Sequence, residues 1–392
     1  MISRRNFALG LAGAGAAMSN TALAKMETDT DGTAHQRADA ALVSIIQEWQ
    51  NQSPHTPGVA VGVQFADGYI WNRGFGLADL TTERPMPANE YMRIGSVTKT
   101  FTGTVLLQLV DRGLIRLDDP LSKYIDGQIP QVPNANQITI RMLGDMTSGI
   151  FDYVGIVEPN DDPTAEIWRT PFTRSTPREL VEVGLSQPPY FAPGQGWHYS
   201  NTNFVLLGMI IENLTKRSLG TNIRLRILEP LGMSDTVFSL GSRYPGRHPE
   251  GYSLTPPDYR SLTEITYIEA GGAWACGNMI STPRDMLIYA KPLATGQLIS
   301  PAAQQERTKW QDATPYPPGK PFTEQKYGFA LKNLDGLIGH GGNIQGYDTF
   351  MAYLPAVDAS IIVISNLYLT NDPGSGSPGL GKRIANFLLS SQ

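Results

Sequence analysis

Apolar residues fall at helical spacing over residues 34–50, with Ala41, Leu42, Ile45, Ile46 and Trp49 on one stripe, and this predicts an opening helix. Pro57-Gly58 breaks it. Residues 59–65 then alternate apolar with small side chains. Asp67-Gly68 is a hairpin-turn pair, and residues 69–76 read as the returning strand. An apolar helix is expected over 97–110, closed by Gly113. Residues 115–260 read as mainly helical, with loops rich in Pro and Gly. In residues 204–214 Val205, Leu206, Leu207, Met209, Ile210 and Ile211 crowd one broad helical face. Strands are expected again from about residue 270, with short apolar runs at 350–354 and 361–365 and a closing helix at 380–389. This order predicts an α/β fold: a sandwich built from about 34–95 and 270–392, interrupted by a helical region at about 96–269. The two sheet segments must meet to share one core.

Composition narrows the classes. The chain has 392 residues, a net charge of −5 and only 17% charged residues, so it lacks the basic surplus that would hold nucleic acid. Its one cysteine, Cys276, rules out an internal disulfide and a thiolate metal cluster. The five histidines show no metal-ligand spacing, and no metal or organic cofactor is expected. Residues 1–24 read as a signal peptide to be removed. Arg4-Arg5 is followed by Phe7, residues 8–18 are weakly apolar, and Ala22-Leu23-Ala24 is a small-x-small cleavage site. The paired arginines resemble a twin-arginine signal, which implies a periplasmic or secreted protein. Eleven weakly apolar residues are too few to span about 30 Å of hydrocarbon. The remaining 25–392 is then one large domain with no stable membrane insertion.

Three short motifs carry candidate chemistry. In Ser96-Val97-Thr98-Lys99, the lysine lies one helical turn after the serine and can reach its hydroxyl. Serine is a weak nucleophile that needs such a neighbour. Gly95 suits a tight lead-in to the helix. The alternative is a capping serine with a solvated lysine. In Tyr199-Ser200-Asn201, a phenol can shuttle a proton and a carboxamide can hold a lysine or a substrate carbonyl; Ser200 or Asn201 could instead simply cap the next helix. In His340-Gly341-Gly342-Asn343, two glycines allow close backbone approach, so that strand N–H groups could receive an oxyanion. The bland alternative there is a turn with a surface histidine.

Together and in this order, the motifs resemble the penicillin-recognising serine hydrolases: D-alanyl-D-alanine carboxypeptidases, class C β-lactamases and related esterases and D-amino-acid peptidases (peptidase family S12). The likeness extends to Met92–Gly113, to Ile138–Arg141 with Thr147-Ser148-Gly149-Ile150, to Tyr199–Asn203 and to Gly339–Tyr347, covering about residues 38–390. It is strongest to the secreted DD-carboxypeptidase branch. The resemblance implies a β-lactamase/transpeptidase-like fold, an antiparallel sheet flanked by helices. It implies acylation of Ser96, proton transfer by Lys99 and Tyr199, Asn201 lining the cleft, and an oxyanion hole from the amides of Ser96 and Asn343 beside Gly341-Gly342. One departure stands out. The carboxypeptidase and lactamase branches usually carry threonine, whose hydroxyl helps bind a free substrate carboxylate, where this chain has Gly341, and Asn343 replaces a common hydroxyl residue. Esters, amides or internal D-peptide bonds are therefore favoured over strict carboxypeptidase or β-lactamase activity. A non-catalytic peptidoglycan or β-lactam sensor would share every motif. In either case the expected partner is a small molecule or short peptide.

Lys332 reads as a surface lysine that could otherwise add anion attraction. His198 reads as a loop residue or a support for Tyr199. Trp274 and Tyr153 read as core aromatics or pocket walls. Gly376–Lys382 nearly matches a phosphate-binding loop, but Arg383 stands where a magnesium-binding hydroxyl is required.

Overall fold

The computed structural model describes residues 20–127, 129–155, 175–254, 261–313, 321–368 and 376–391. Residues 1–45 and 46–392 form two compact units. Of the first unit residues 20–45 are described, all within the helix Asn20–Gln52. It starts well before the helix expected at residue 34. The paired arginines and the apolar run at 8–18 lie outside the described residues, and among those that are described no helix is long and apolar enough to cross a membrane.

The second unit is organised by one nine-stranded antiparallel sheet. Its strands in chain order are β1 (Gly58–Gln64), β2 (Ile70–Asp79), β3 (Arg84–Pro85), β4 (Gln311–Asp312), β5 (Gln325–Gly328), β6 (Leu331–Leu334), β7 (Leu337–Ile344), β8 (Tyr347–Leu354) and β9 (Ala359–Ser365). Across the sheet they run β3-β2-β1-β9-β8-β7-β6-β5-β4. The join between the two halves is β1 against β9, with Val59 opposite Ser365, Val61 opposite Val363 and Val63 opposite Ile361. The N- and C-terminal segments thus complete one sheet, as the β–α–β order demands. Asn366 holds the seam: its Oδ1 accepts from Gly58 N at 2.8 Å, and its Nδ2 donates to Leu77 O and Glu250 O.

β8 and β9 are buried along their whole lengths, the mark of strands covered on both faces. Because side chains alternate, Phe350 and Met351 point to opposite faces. On one face the closing helix Ser377–Ser390 brings Gly381 so near Phe350 that a Cβ there would lie 2.2 Å from the ring. On the other, Pro283–Thr295 packs Leu287 over Gly62 of β1. That second face continues into the main core, where Phe101 stacks on Tyr289 at 4.0 Å.

The helical region supplies the buried helices Thr98–Asp111 and Asn201–Thr215. Thr98, Thr100, Thr102 and Thr104 alternate through the first of these, a strand-like pattern within a helix. The helix tolerates it because the buried hydroxyls are paired: Thr100 donates to Val97 O, Thr102 to Ala275 O and Thr104 to Thr100 O. Two expectations need correction. Between residues 270 and 310 the chain is mostly helical, with only Met279–Ser281 a strand. The helical region also contains very short strands, Val237–Phe238, Tyr252–Leu254 and Leu262–Glu264. Elements of two or three residues carry no readable alternation.

Candidate active site

Ser96 sits in a one-turn 3-10 segment, Gly95–Val97, that leads into Thr98–Asp111. Two pairings hold that segment in place. Met92–Arg93 pairs with Met279–Ser281, and Ile94 N donates to Met279 O at 3.1 Å. Two glycines then let β7 press against the turn. Gly95 has φ +47, and a Cβ on it would lie 2.9 Å from Asn343 N. A Cβ on Gly342 would lie 1.9 Å from Ile94 O and 3.1 Å from Ser96 N. The close approach expected of the second glycine is therefore present, and it brings the main-chain nitrogens of Ser96 and Asn343 to one place. The Asn343 side chain is exposed.

Lys99 lies one turn on and is completely buried. Its Nζ is 2.9 Å from Ser96 Oγ, 2.7 Å from Asn201 Oδ1 and 2.9 Å from Cys276 O. As an ammonium it donates to all three. As a neutral amine it has two hydrogens and one lone pair. A carboxamide oxygen and a peptide carbonyl can only accept, whereas the serine hydroxyl can donate. The two hydrogens therefore go to Asn201 and Cys276, and the lone pair faces the Ser96 proton. Burial lowers the Lys99 pKa from 10.5 to about 8; the carboxylate of Asp152 opposes that shift, and Lys332 adds to it. Roughly a tenth of such an amine is neutral at pH 7, which suits a general base.

Tyr199 stands between two cations, its ring centroid 4.9 Å from Lys99 Nζ and 5.5 Å from Lys332 Nζ. Lys332 is thus placed at the cleft by β6, where it pairs with Gly339 of β7; reading it as a plain surface lysine is corrected. His340 is buried, and its pKa is pushed well below the usual histidine value, first by burial and then by Lys332 and Lys99. It is therefore neutral near pH 7. Its Nδ1 faces the Gly341 carbonyl, which can only accept, so the ring proton sits on Nδ1 and Nε2 accepts from Tyr327 Oη at 3.1 Å. The turn-and-surface reading of this histidine does not hold. Gly341 has room: a Cβ there would meet only Thr349 O, at 3.6 Å.

The motifs singled out in the sequence converge, and the residues that support them were not visible there. Asp152 is buried, accepts from Asn201 N and Nδ2 at 3.0 Å each, and thereby caps the helix that neither Ser200 nor Asn201 caps with its own side chain. The only hint was an acid in an apolar stretch four residues after Ser148. Cys276 serves through its carbonyl, while its thiol donates to Ala273 O and burial raises its pKa. Tyr153 donates to Gly272 O, and Trp274 is buried with its ring tip against Gly208, a core position. His198 is exposed, stacked on Tyr190 at 3.6 Å, with Nδ1 2.9 Å from Tyr199 O. In the near-match to a phosphate loop, Lys382 donates to Asp335 at 2.7 Å within the closing helix. Among the described residues, no three His, Cys, Asp or Glu side chains group as metal ligands.

Residues 35–382 match the family described as Beta-lactamase. The chain belongs to the beta-lactamase family. It is a member of the serine hydrolase superfamily of β-lactamases and penicillin-binding proteins, and it has that superfamily's fold. It is 27% identical over 313 residues to penicillin-binding protein 4* of Bacillus subtilis, and 27% identical over 332 residues to protein flp of a Staphylococcus aureus strain. These alignments cover 76% and 83% of this chain but only 65% and 62% of those proteins, so it spans less than two thirds of their length. The structure is similar to a D-stereospecific amidohydrolase from Streptomyces sp., with TM-score 0.74 and 29% identity, covering 88% of this chain and 98% of that one. It is also similar to the D-amino acid amidase of Ochrobactrum anthropi SV3 crystallised with L-phenylalanine amide, with TM-score 0.77 and 26% identity, covering 91% and 99%.

Three measurements check this arrangement. The rate at which a fluorophosphonate labels the protein should rise with pH through an apparent pKa near 8, the value burial sets for Lys99, because only the neutral amine can take the serine proton. A rate that is flat from pH 6.5 to 9.5 would show that Lys99 is not the base. Peptide mapping after labelling should find the adduct on Ser96. Ser96→Ala should stay folded and lose turnover by several orders of magnitude, about 10⁶ where such a nucleophile was removed from another serine hydrolase.

Proposed function

We propose that this chain is an exported amidohydrolase that forms an acyl-enzyme on Ser96 and cleaves amides or short peptides of D-amino acids, with esters as further substrates. The observation that carries the substrate class is Gly341. Where a hydroxyl would hold a free carboxylate, the strand has no side chain, and the space beside it is open. An amide or ester loses nothing at such a position. The D-amino acid amidase of similar structure supports the D-amino-acid part of the reading, and the D-stereospecific amidohydrolase supports its stereochemistry.

The contacts of Lys99 with Ser96 and Tyr199 support the following steps. Neutral Lys99 takes the Ser96 proton as Oγ attacks the carbonyl carbon. The negative charge on the carbonyl oxygen is met by the N–H groups of Ser96 and Asn343, a contribution of about 3–4 kcal/mol where such donors have been removed. Collapse breaks the C–N bond, and the proton reaches the leaving amine through Tyr199, whose ring lies against Lys99. Water then attacks the acyl-enzyme, its proton taken by the same pair, and the acid departs with Ser96 restored. No cofactor enters any step.

The penicillin-binding relative favours a second reading, D-alanyl-D-alanine carboxypeptidase or β-lactamase. A panel of D- and L-aminoacyl amides, short esters, free-acid D-Ala-D-Ala peptides and β-lactams decides between them. We expect D-aminoacyl amides to be preferred over free-acid peptides, and Gly341→Thr to shift preference toward the acids by roughly 10–150-fold, the effect of one hydroxyl-to-carboxylate hydrogen bond of about 1.5–3 kcal/mol. A wild type that already favours the free acid by a wide margin would overturn the proposal. A lasting adduct without turnover would point to a sensor.

Export to the periplasm or beyond rests on Arg4-Arg5, the apolar run and Ala22-x-Ala24. The double substitution Arg4→Lys, Arg5→Lys should leave full-length precursor in the cytoplasm, whereas the parent begins near Lys25 outside it. Unchanged fractionation of the double variant would refute twin-arginine export.

A further inference from the structure

We propose that Asp152 is the positioning residue that aims the base: by fixing which end of the Asn201 carboxamide faces Lys99, it sets the direction in which Lys99 can take a proton. The inference deepens the proposed mechanism and rests on its assignment of Ser96 and Lys99.

Asn201 can present either its oxygen or its NH2 to Lys99. With the oxygen there, a neutral Lys99 donates to it and keeps its lone pair for Ser96. With the NH2 there, Asn201 donates into that lone pair, and the base is consumed before it meets the serine. The rest of the site must choose. The other end of the carboxamide meets Asp152, with Nδ2 3.0 Å from Oδ2, while Oδ1 of the same carboxylate accepts from the Asn201 backbone N–H at 3.0 Å. A carboxylate only accepts, so it takes the NH2 end and drives the oxygen toward Lys99, where it lies 2.7 Å from Nζ. Val154 N also approaches Oδ1, at 3.3 Å, so the carboxylate is held from its own loop as well as from the helix. Asp152 is 7% exposed, and a buried carboxylate is costly unless hydrogen-bonded in this way.

Asp152→Asn is the decisive variant because it is isosteric. Its oxygen can still accept the Asn201 backbone N–H and keep the helix capped. Its new NH2 then faces the Asn201 side chain and demands the oxygen, turning the carboxamide round. The titratable and charged groups that face Lys99 are Asp152 from the loop after Gly149, Tyr199, Cys276, Lys332 on β6 and His340 on β7, and Tyr153 lies beside Cys276 and Asp152. All but Asp152 are left in place, so loss of its negative charge should move the rising limb of the pH profile to lower pH.

The readout is the rate of fluorophosphonate labelling of Ser96, measured against pH, which does not depend on the natural substrate. In Asp152→Asn the limiting rate should fall about 10–100-fold and the limb should move down by about half a pH unit. In an Asn201→Ala background, the same substitution should change the limiting rate less than threefold, because the group it misdirects is gone. A limiting rate in Asp152→Asn within threefold of the parent, an unshifted limb, or an equal loss in both backgrounds would overturn the proposal. Should Asp152→Asn fail to fold, Asp152→Ser decides by the same comparison between backgrounds. Failure of the D-amide reading would appear only in the substrate panel, and failure of the serine mechanism as no Ser96 label in the parent protein.

Discussion

Everything at this site depends on burying one ammonium group. A lysine out of contact with water loses its hydration, and the molecule can keep it only by surrounding it with oxygen. Lys99 has three such oxygens, from the 3-10 turn, the helix Asn201–Thr215 and the short helix Trp274–Gly277, segments separated by up to 177 residues in sequence. Each must be in register for the charge to be tolerated. The helical region is thus tied to the nucleophile by the same bonds that tune its base. The depressed pKa is the residue of this compromise: enough stabilisation to bury the charge, and not enough to prevent the proton from leaving.

The sheet contributes by position more than by chemistry. β7 pairs with β6 only as far as Gly339, and beyond that point the same flank lies along the nucleophile turn. A side chain on Gly342 or Gly95 would force these two backbones apart, since the atoms in the way belong to main chain and cannot rotate aside. The seam between β1 and β9 matters for the same reason. It anchors β7, through β8, to β1 and its neighbours, while the turn carrying Ser96 is held by a separate three-stranded sheet in which Met92–Arg93 pairs with Met279–Ser281.

Much of this was legible in the sequence, for physical reasons. The long helical stripe at 204–214 and the short apolar run at 361–365 both appear in the structure extended by a few residues at one or both ends. The three motifs were readable because nucleophilic chemistry needs rare residue types at fixed spacing. What could not be read was whatever depends on contacts between distant segments. Asp152 reaches Asn201 across 49 positions, and no spacing rule links them. The Cys276 carbonyl is invisible in principle, because every residue has one. Lys332 was misread because one lysine in a polar stretch is ordinarily solvated; only the pairing of β6 with β7 brings it to Tyr199.

Among the described residues, the two charges set against the Tyr199 ring are both positive. Lys99 and Lys332 both approach the Tyr199 ring, while His340 between them stays neutral because burial and these two cations disfavour its protonation. Among the described residues the carboxylate that acts on Lys99 is Asp152, which has both oxygens engaged and sits behind Asn201, so its field reaches the nucleophile through a fixed dipole. Such an arrangement favours whatever carries negative charge in front of Ser96. During acyl transfer that is the oxygen of the tetrahedral intermediate, and the amides of Ser96 and Asn343 add their dipoles on the same side. A neutral amide or ester acquires this charge only as it reacts. The field therefore acts on the transition state and leaves the bound substrate almost untouched, which is the condition under which binding energy becomes rate.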